Sequence, residues 1–197
     1  MNEAILRVDV QAFINNNLNV DIPTLLFQKS SFPEVSSKEL AEQIEAKQKA
    51  KKKLPTWYAL KNCYFANKLN ISQTSSELTA KYKANLVSGN YLADLTAGFG
   101  VDTHAFCKVV KHVFHIEKNE ILSKIAKSNF EKMGVSTIDF IHSDGIQFLN
   151  DLKVKLDWIY IDPSRRSNTN KKVYYLSDCE PDITKHLDLF FFKSDNI

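Results

Sequence analysis

Cysteine is scarce in this sequence. The three cysteines, Cys63, Cys107 and Cys179, lie far apart, and none forms a Cys-x-x-Cys pair or has the spacing of a Cys/His metal site. A disulfide framework and a structural zinc site are therefore not expected. Cys107 lies in an apolar helical run, which favours a buried free thiol over a reactive one. Catalysis by a cysteine is not supported.

Long hydrophobic runs and an excess of one charge are also absent. No stretch approaches the roughly 18 uninterrupted apolar residues of a membrane span, and the start at Met1 lacks the basic and apolar segments of a secretory signal. We therefore expect a cytoplasmic protein without a membrane partner. The net charge of +3 permits nucleic-acid binding without requiring it.

The first part of the chain has helical periodicity. Ser36 and Glu39 fit a capping box for a helix that runs from Leu40 to Lys53. Pro55 breaks this pattern, and helical periodicity returns between Leu60 and Leu86, with a capped segment from Ser75. We predict a helical domain over residues 1–54 and a helical connector over 55–86.

Lysines cluster between Lys47 and Lys53, at the predicted end of that helix. Positive charge at a helix C-terminus complements the helix dipole, which favours a solvated helix end. The alternative is a patch that contacts RNA phosphates.

Strand-like and helix-like stretches alternate from Tyr91 onward. The predicted strands cover residues 91–96, 112–117, 137–142 and 156–161. This order predicts an α/β domain over 87–197 with a parallel, doubly wound, Rossmann-like sheet. Because ligands of such sheets bind at the carboxyl ends of the strands, the residues that end each strand are the candidate site.

The first strand leads into the segment Asp94–Gly100, where small residues allow a ligand close to the backbone. A dinucleotide site is disfavoured, because Thr103 occupies the third glycine position of that fingerprint and Asp94 would repel a pyrophosphate. A ligand that carries positive charge would instead be attracted.

The next two strands also end in acidic residues. Glu117 can accept hydrogen bonds from both hydroxyls of a ribose, and Asp144 can accept one from the exocyclic amine of an adenine that packs on Ile146. Each of these carboxylates, taken singly, is equally compatible with a solvated loop or a helix cap. Their succession at three strand ends favours a binding site.

The fourth strand is followed by Asp162-Pro163-Ser164-Arg165-Arg166, a charged turn. The alternative is that this turn only ends the strand and has no function of its own. Two arginines after Asp-Pro at a ligand-bearing edge favour a functional role, with phosphate recognition as one use.

Four features of this sequence resemble motifs I to IV of class I S-adenosylmethionine-dependent methyltransferases: the segment Asp94–Gly100, Glu117, Asp144 and the pair Asp162-Pro163. The run from Ser75 through Lys83, together with the turn at Asp162, more closely resembles a bacterial group of THUMP-like-domain methyltransferases, which is related to the trimethylguanosine-synthase-like RNA guanine-N2 enzymes. The resemblance covers about residues 50–185. It is more specific for the cofactor site than for the substrate.

The resemblance implies S-adenosylmethionine as cofactor, no metal, and RNA (rRNA or tRNA) as substrate. It implies that the methionine end of the cofactor is surrounded by Asp94, Ala97, Gly98 and Gly100, the ribose is bound by Glu117, and the adenine is bound by Asp144 and Ile146. Ser76 and Tyr82 are expected to close over the cofactor. The implied catalytic residues are Asp162, Pro163, Ser164 and Arg165. Amino-group methyltransferases usually have a second proline and an aromatic residue where this sequence has Ser164 and Arg165.

The resemblance also implies a larger sheet than the four strands found in this sequence. We expect a fragment that lacks C-terminal strands, or else another chain that covers the edge of the fourth strand. Two other functions remain open: a non-catalytic RNA-binding or interaction module on an incomplete scaffold, and a methyltransferase that acts on a small molecule or a protein.

Overall fold

The computed structural model describes residues 1–164 and 175–197 of the chain. The part before the first strand is helical. After a 3-10 turn at Glu3–Leu6, its helices are α1 (Val8–Asn16), α2 (Ile22–Phe27), α3 (Ser37–Lys53), α4 (Pro55–Ala59), α5 (Lys68–Gln73) and α6 (Glu77–Ala84).

The capping box predicted at Ser36 is present. The Ser36 hydroxyl accepts a hydrogen bond from the amide of Glu39, and the Glu39 carboxylate accepts one from the amide of Ser36 at 2.8 Å. These two bonds satisfy amide groups that have no partner within the helix. Helix α3 therefore begins at Ser37, directly after the predicted cap and before the predicted run from Leu40 to Lys53.

Residues 60–67 are not helical, although the sequence pattern predicted a helix there. Two buried amide side chains hold this segment instead. Gln43 exchanges two hydrogen bonds with the backbone of Phe65, and Asn129 exchanges two with the backbone of Tyr64. These bonds replace the ladder of a helix, and residues 60–67 form a turn followed by irregular backbone between α4 and α5.

The second part of the chain is a parallel sheet with intervening helices. Its strands are β1 (Gly89–Asp94), β2 (Val110–Glu117), β3 (Ile138–His142) and β4 (Trp158–Tyr160), in the order β3-β2-β1-β4. The helices between them are α7 (Val101–Phe106), α8 (Glu120–Met133) and α9 (Gly145–Asp151), and α10 (Leu187–Lys193) follows two 3-10 turns at Leu176–Asp178 and Ile183–Lys185. All three pairings are parallel, which confirms the predicted sheet.

Helices cover both faces of this sheet. Leu92 packs in one core cluster with Phe106 of α7, whereas its neighbour Ala93 packs in another with Leu149 of α9 and Phe190 of α10. Successive side chains of a strand point to opposite faces, so the sheet is doubly wound. Backbone bonds from Leu156 and Ile159 to residues 193 and 196 place the end of the described chain along the outer side of β4.

One core cluster joins the helical part to the sheet. It contains Ala50 of α3, Trp57 of α4, Phe99 of the turn after β1 and Phe130 of α8, all almost inaccessible to solvent. Packing is therefore continuous across residues 54 and 86, and the division into three segments stays a prediction. Within residues 1–164 and 175–197, no helix combines the length and apolar character needed to cross a membrane.

Most of the lysines at the end of α3 contact other parts of the chain. The Lys47 ammonium donates to Asn15 at 2.6 Å, and that of Lys53 donates to the carbonyls of Ile71 and Ser72 at 3.0 and 2.8 Å. Lys47 is 5% exposed, so this part of the cluster is buried and does not form the solvated helix end that the sequence pattern favoured. Lys51 and Lys52 are exposed.

Candidate functional site

A cavity of about 720 Å³ opens at the carboxyl edge of the sheet. Its volume lies within the range of roughly 300–1,000 Å³ typical of small-molecule sites. The structure brings to its wall most of the side chains that the sequence singled out: Asp94, Ala97, Gly98, Glu117, Asp144, Asp162, Pro163 and Ser164.

The turn after β1 is bonded to the end of β2. Gly98 has a φ of 58°, in the left-handed region that favours glycine, and its amide donates to Oε2 of Glu117 at 2.9 Å. The amide of Asn119 donates to Oε1 of the same carboxylate at 2.7 Å. Glu117 is thus held in one orientation at the cavity wall, with acceptor capacity remaining on each oxygen.

Gly100 is required by the packing behind the cavity. It precedes α7 with a φ of 87°, and a Cβ at this position would lie 2.8 Å from Cε2 of Phe130. Gly100 is not part of the cavity wall. Its place beside a ligand stays a prediction; what the structure shows is a packing role, because the absence of a side chain at Gly100 lets α8 approach the turn.

Asp94 is the most buried acidic residue of the site. It is 1% exposed, and burial, followed by the nearby Asp102 and Glu117 carboxylates, raises its pKa to about 8 despite a 2.6 Å hydrogen bond from the Thr103 hydroxyl. A cation near Asp94 would favour its ionised form. The side chain therefore suits a positively charged ligand.

Asp144 combines a helix cap with a place on the cavity wall. Its Oδ1 accepts from the amides of Ile146 and Gln147 at 2.8 and 3.2 Å, while Oδ2 makes no hydrogen bond to any described residue. The cap and a ligand contact can therefore coexist. Ile146 is half-buried against the core cluster under α9 and is not part of the cavity wall, so its packing on an adenine ring stays a prediction.

The turn after β4 is anchored at two points. The amide of Asp162 donates to the Thr96 hydroxyl at 2.8 Å, and Ser164 exchanges backbone hydrogen bonds with Glu180 at 2.8 and 3.1 Å. Asp162, Pro163 and Ser164 are thereby held at the cavity. Arg165 and Arg166, the rest of the predicted turn, lie outside the described residues.

The two residues expected to close over a cofactor do not reach the cavity wall. The Ser76 hydroxyl caps α6 by accepting from the amide of Thr79, and the Tyr82 side chain is exposed. Ser75, one residue earlier, lines the cavity instead. Helix geometry explains the difference, because Ser76 at the N-cap must turn its hydroxyl back toward its own helix.

Sequence reasoning missed a polar cluster on the same wall. Asp102 and Tyr160 line the cavity beside Ser75, and all three contact the ammonium group of Lys83. Tyr160 ends the fourth strand, so its position at a strand end was a usable signal. Nothing local to Lys83 predicts its place.

The cysteines are not part of this chemistry. Burial raises the pKa values of Cys63 and Cys107 to about 12, so their thiolate forms are disfavoured at neutral pH.

No protein-family model matches the chain, and no curated protein matches its sequence. Among solved structures, a presumed methyltransferase from Porphyromonas gingivalis W83 has a TM-score of 0.79 and 24% identity, over 98% of this chain and 48% of that one. This similarity shows the fold, a Rossmann-like methyltransferase fold, and this chain spans about half the length of that structure.

Two further structures are less similar. The precorrin 8W decarboxylase of Methanobacterium thermoautotrophicum has a TM-score of 0.48 and 13% identity, over 61% of this chain and 59% of that one. A presumed methyltransferase from Streptococcus mutans, in complex with S-adenosylhomocysteine, has a TM-score of 0.46 and 12% identity, over 60% of this chain and 65% of that one.

Proposed function

We propose that this chain binds S-adenosylmethionine in the cavity and is part of a methyltransferase that acts on RNA. The observation that carries the proposal is the fixed Glu117 carboxylate, bonded to Gly98 at the point where β1 and β2 meet the cavity. A carboxylate at the end of the second strand, beside a glycine turn after the first, is the arrangement that binds the ribose of an adenosine ligand.

The other residues of the wall fit the remaining parts of that ligand. Oδ2 of Asp144, which makes no hydrogen bond to a described residue, would accept from the exocyclic amine of adenine, and the segment 94–98 would provide small residues and the Asp94 carboxyl for the methionine end. The cavity volume also suits a ligand of this size.

S-adenosylmethionine supplies an electrophilic methyl group on a sulfonium. The protein contributes positioning and electrostatics. The Thr96 hydroxyl accepts from the amide of Asp162 and so fixes its backbone. The Asp162 carboxylate makes no hydrogen bond within residues 1–164 and 175–197, so it can accept one from an amino group of the substrate. The carbonyl of Pro163 is a further acceptor beside it, whereas that of Ser164 already accepts from the amide of Glu180.

The RNA substrate is proposed on sequence grounds. The turn carries Arg165 and Arg166, whose guanidinium groups suit phosphate or base contacts, and the closer resemblance is to enzymes that modify RNA. Exposed Lys51 and Lys52 add positive charge to the surface.

A non-catalytic RNA-binding module is the second candidate. It is favoured by Ser164 and Arg165, which stand where amino-group methyltransferases usually have proline and an aromatic residue. An Asp162→Ala variant distinguishes the two functions, because a catalytic role requires that this change abolish methyl transfer without weakening RNA binding.

Titration calorimetry with S-adenosylhomocysteine tests the cofactor proposal. We expect Glu117→Gln to weaken binding about tenfold or more, the effect of losing charge-assisted hydrogen bonds to a ligand. Glu120→Gln is the matched control, because Glu120 is exposed, pairs with Lys124 and does not line the cavity. Absence of saturable binding to the unaltered chain would overturn the proposal.

Methyl transfer from radiolabelled S-adenosylmethionine to total RNA tests the reaction. Label should appear in rRNA or tRNA with the unaltered chain and be lost with Asp162→Ala. Label in protein or in small molecules, with none in RNA, would show that the substrate belongs to another class than RNA.

A further inference from the structure

Positive charge is concentrated in one segment of the helical part. Residues 46–86 include nine lysines and one acidic residue, Glu77, whereas the whole chain has a net charge of only +3. The rest of the chain is therefore net acidic. Lysines gathered in one part of a protein are the electrostatic footprint expected of a surface that binds a nucleic acid.

Three of these lysines form one surface at the end of α3. Lys52 and Lys53 follow Lys49 by three and four positions, so the three side chains project from the same side of the helix. That side faces α5, because the Lys49 ammonium donates to the Ser72 hydroxyl at 2.9 Å and that of Lys53 donates to the carbonyls of Ile71 and Ser72. We call Lys49, Lys52 and Lys53 the basic surface.

The basic surface borders the cavity. Ser72 lies in the last turn of α5, and the next residues, 73–75, are on the cavity wall. Glu77 in the first turn of α6 accepts hydrogen bonds of 2.7 Å from the amide and from the hydroxyl of Thr56, three positions after Lys53. The link between α5 and α6 is therefore held against the end of α3, and it contacts the lysines and the cavity at neighbouring residues.

The charges of the basic surface are not neutralised by the chain. Within residues 1–164 and 175–197, none of the three ammonium groups is paired with a carboxylate. Lys49 uses one of its three hydrogens and Lys53 uses two, all on uncharged oxygens, and Lys52 is exposed. Burial, followed by the neighbouring Lys49 charge, lowers the pKa of Lys53. An anion between the two lysines would relieve their repulsion.

The charge of the cavity restricts which polyanion can extend from this surface into the site. Six acidic side chains and one basic side chain, Lys118, are on the described wall, and Lys118 is paired with Glu180. Such a wall repels a phosphate backbone, whereas the neutral base of an unpaired nucleotide can extend away from its phosphates. An acidic peptide lacks this separation, because its charges lie on the side chains that would enter the cavity.

We propose that Lys49, Lys52 and Lys53 bind the phosphate backbone of the RNA strand whose target nucleotide enters the cavity. This inference rests on the proposed function, because it assumes an RNA substrate. It places a substrate-binding surface on the helical part of the chain, outside the strand ends that the sequence motifs identified.

The salt dependence of RNA binding tests these contacts. Each lysine that neutralises a phosphate of a single strand adds about 0.7 to the slope of log Kd against log salt concentration. The probe is a fluorescein-labelled single-stranded oligoribonucleotide, whose anisotropy is followed with the full chain at several KCl concentrations. Lys49→Gln/Lys52→Gln should lower the slope by about 1–2 and weaken binding about tenfold or more at low salt. Lys53 stays in place because its ammonium holds the end of α5.

Lys38→Gln/Lys51→Gln is the matched control. It removes the same charge from two exposed positions of the same helix. Lys51 is two positions from both Lys49 and Lys53 and so projects from another side, and Lys38 lies at the opposite end of α3. The slope of this variant should change by less than about 0.5. Thermal unfolding of both variants should stay close to that of the unaltered chain.

A smaller slope in the Lys49→Gln/Lys52→Gln variant alone supports the assignment. Equal slopes in the two variants, or no binding of the oligoribonucleotide by the unaltered chain, overturn it. Polyglutamate that displaces the probe as well as unlabelled RNA does, at equal concentration of charge, also overturns it, because the surface would then bind polyanions of any kind. The titrations contain no S-adenosylmethionine, so failure of the cofactor proposal in calorimetry would leave the salt slopes to decide this assignment.

Discussion

The amide of Gly98 donates a hydrogen bond of 2.9 Å to Oε2 of Glu117, which joins the turn after β1 to the end of β2. Gly98 has a φ of 58°, so the turn that carries this amide has a left-handed conformation that favours glycine. The geometry of the turn and the orientation of the carboxylate therefore depend on each other.

Gly98→Ala should weaken ligand binding more than its cost in stability explains. A left-handed conformation disfavours alanine by about 1–2 kcal/mol. Gly134→Ala is the matched control, because Gly134 has a φ of 71° at the end of α8, has free space around it and does not line the cavity. Urea unfolding should show similar losses for both variants, and calorimetry should show weaker S-adenosylhomocysteine binding only for Gly98→Ala. Equal affinities in the two variants would contradict the coupling.

Gly100→Ala should be more destabilising than Gly98→Ala or Gly134→Ala. Its Cβ would add a 2.8 Å contact with the Phe130 ring to the conformational strain, so we expect a loss of about 2–4 kcal/mol in the free energy of unfolding. Phe130→Leu in the same chain should recover part of that loss, which a double-mutant cycle measures by urea unfolding. Additive effects would show that the ring contact is not the cause.

Asp94→Asn should change how stability depends on pH. Because burial raises the pKa of Asp94 from 3.8 to about 8, the folded chain binds more protons than the unfolded chain between these values, and this residue's contribution to stability falls as pH rises through that window. Asparagine removes this slope while retaining an acceptor for Thr103. The variant should therefore gain stability over the unaltered chain near pH 9, on the order of a few kcal/mol, and gain little near pH 4.

Chemical unfolding across this pH range measures the difference between variant and unaltered chain. The buried His104 and His115 have pKa values lowered to about 4 by burial, so they add stability that is lost as pH falls from 6.5 to 4. Their contribution is common to both proteins and cancels in the difference. A difference that does not vary with pH would show that Asp94 is not the group responsible.

Lys83→Met should destabilise the chain by about 1–3 kcal/mol. It removes the donor to Ser75, Asp102 and Tyr160 and leaves the Asp102 carboxylate on a largely buried wall without its cation. Thermal and urea unfolding check the loss, with Lys124→Met as a control at an exposed ion pair that should cost much less. Equal losses would mean that the cluster does not hold the wall together.

Patterns that act over a few residues were predictable from the sequence. Three such patterns depend on neighbours along the chain: the capping box of α3, the alternation of strands and helices, and the acidic residues at the ends of the first three predicted strands. In a parallel sheet these strand ends converge on one edge, so Asp94, Glu117, Asp144 and Asp162 meet at one cavity.

Contacts between distant segments required the tertiary structure. Lys83 and Tyr160 are 77 positions apart, and only the packing of α6 against the sheet brings them together. The amides of Gln43 and Asn129 likewise turn residues 60–67 away from the helix that periodicity predicted. Local sequence therefore determined which strands and turns form. The tertiary packing decided that Ser75 meets Asp102 at the cavity wall, because the two side chains lie on different elements and no local pattern specifies their approach.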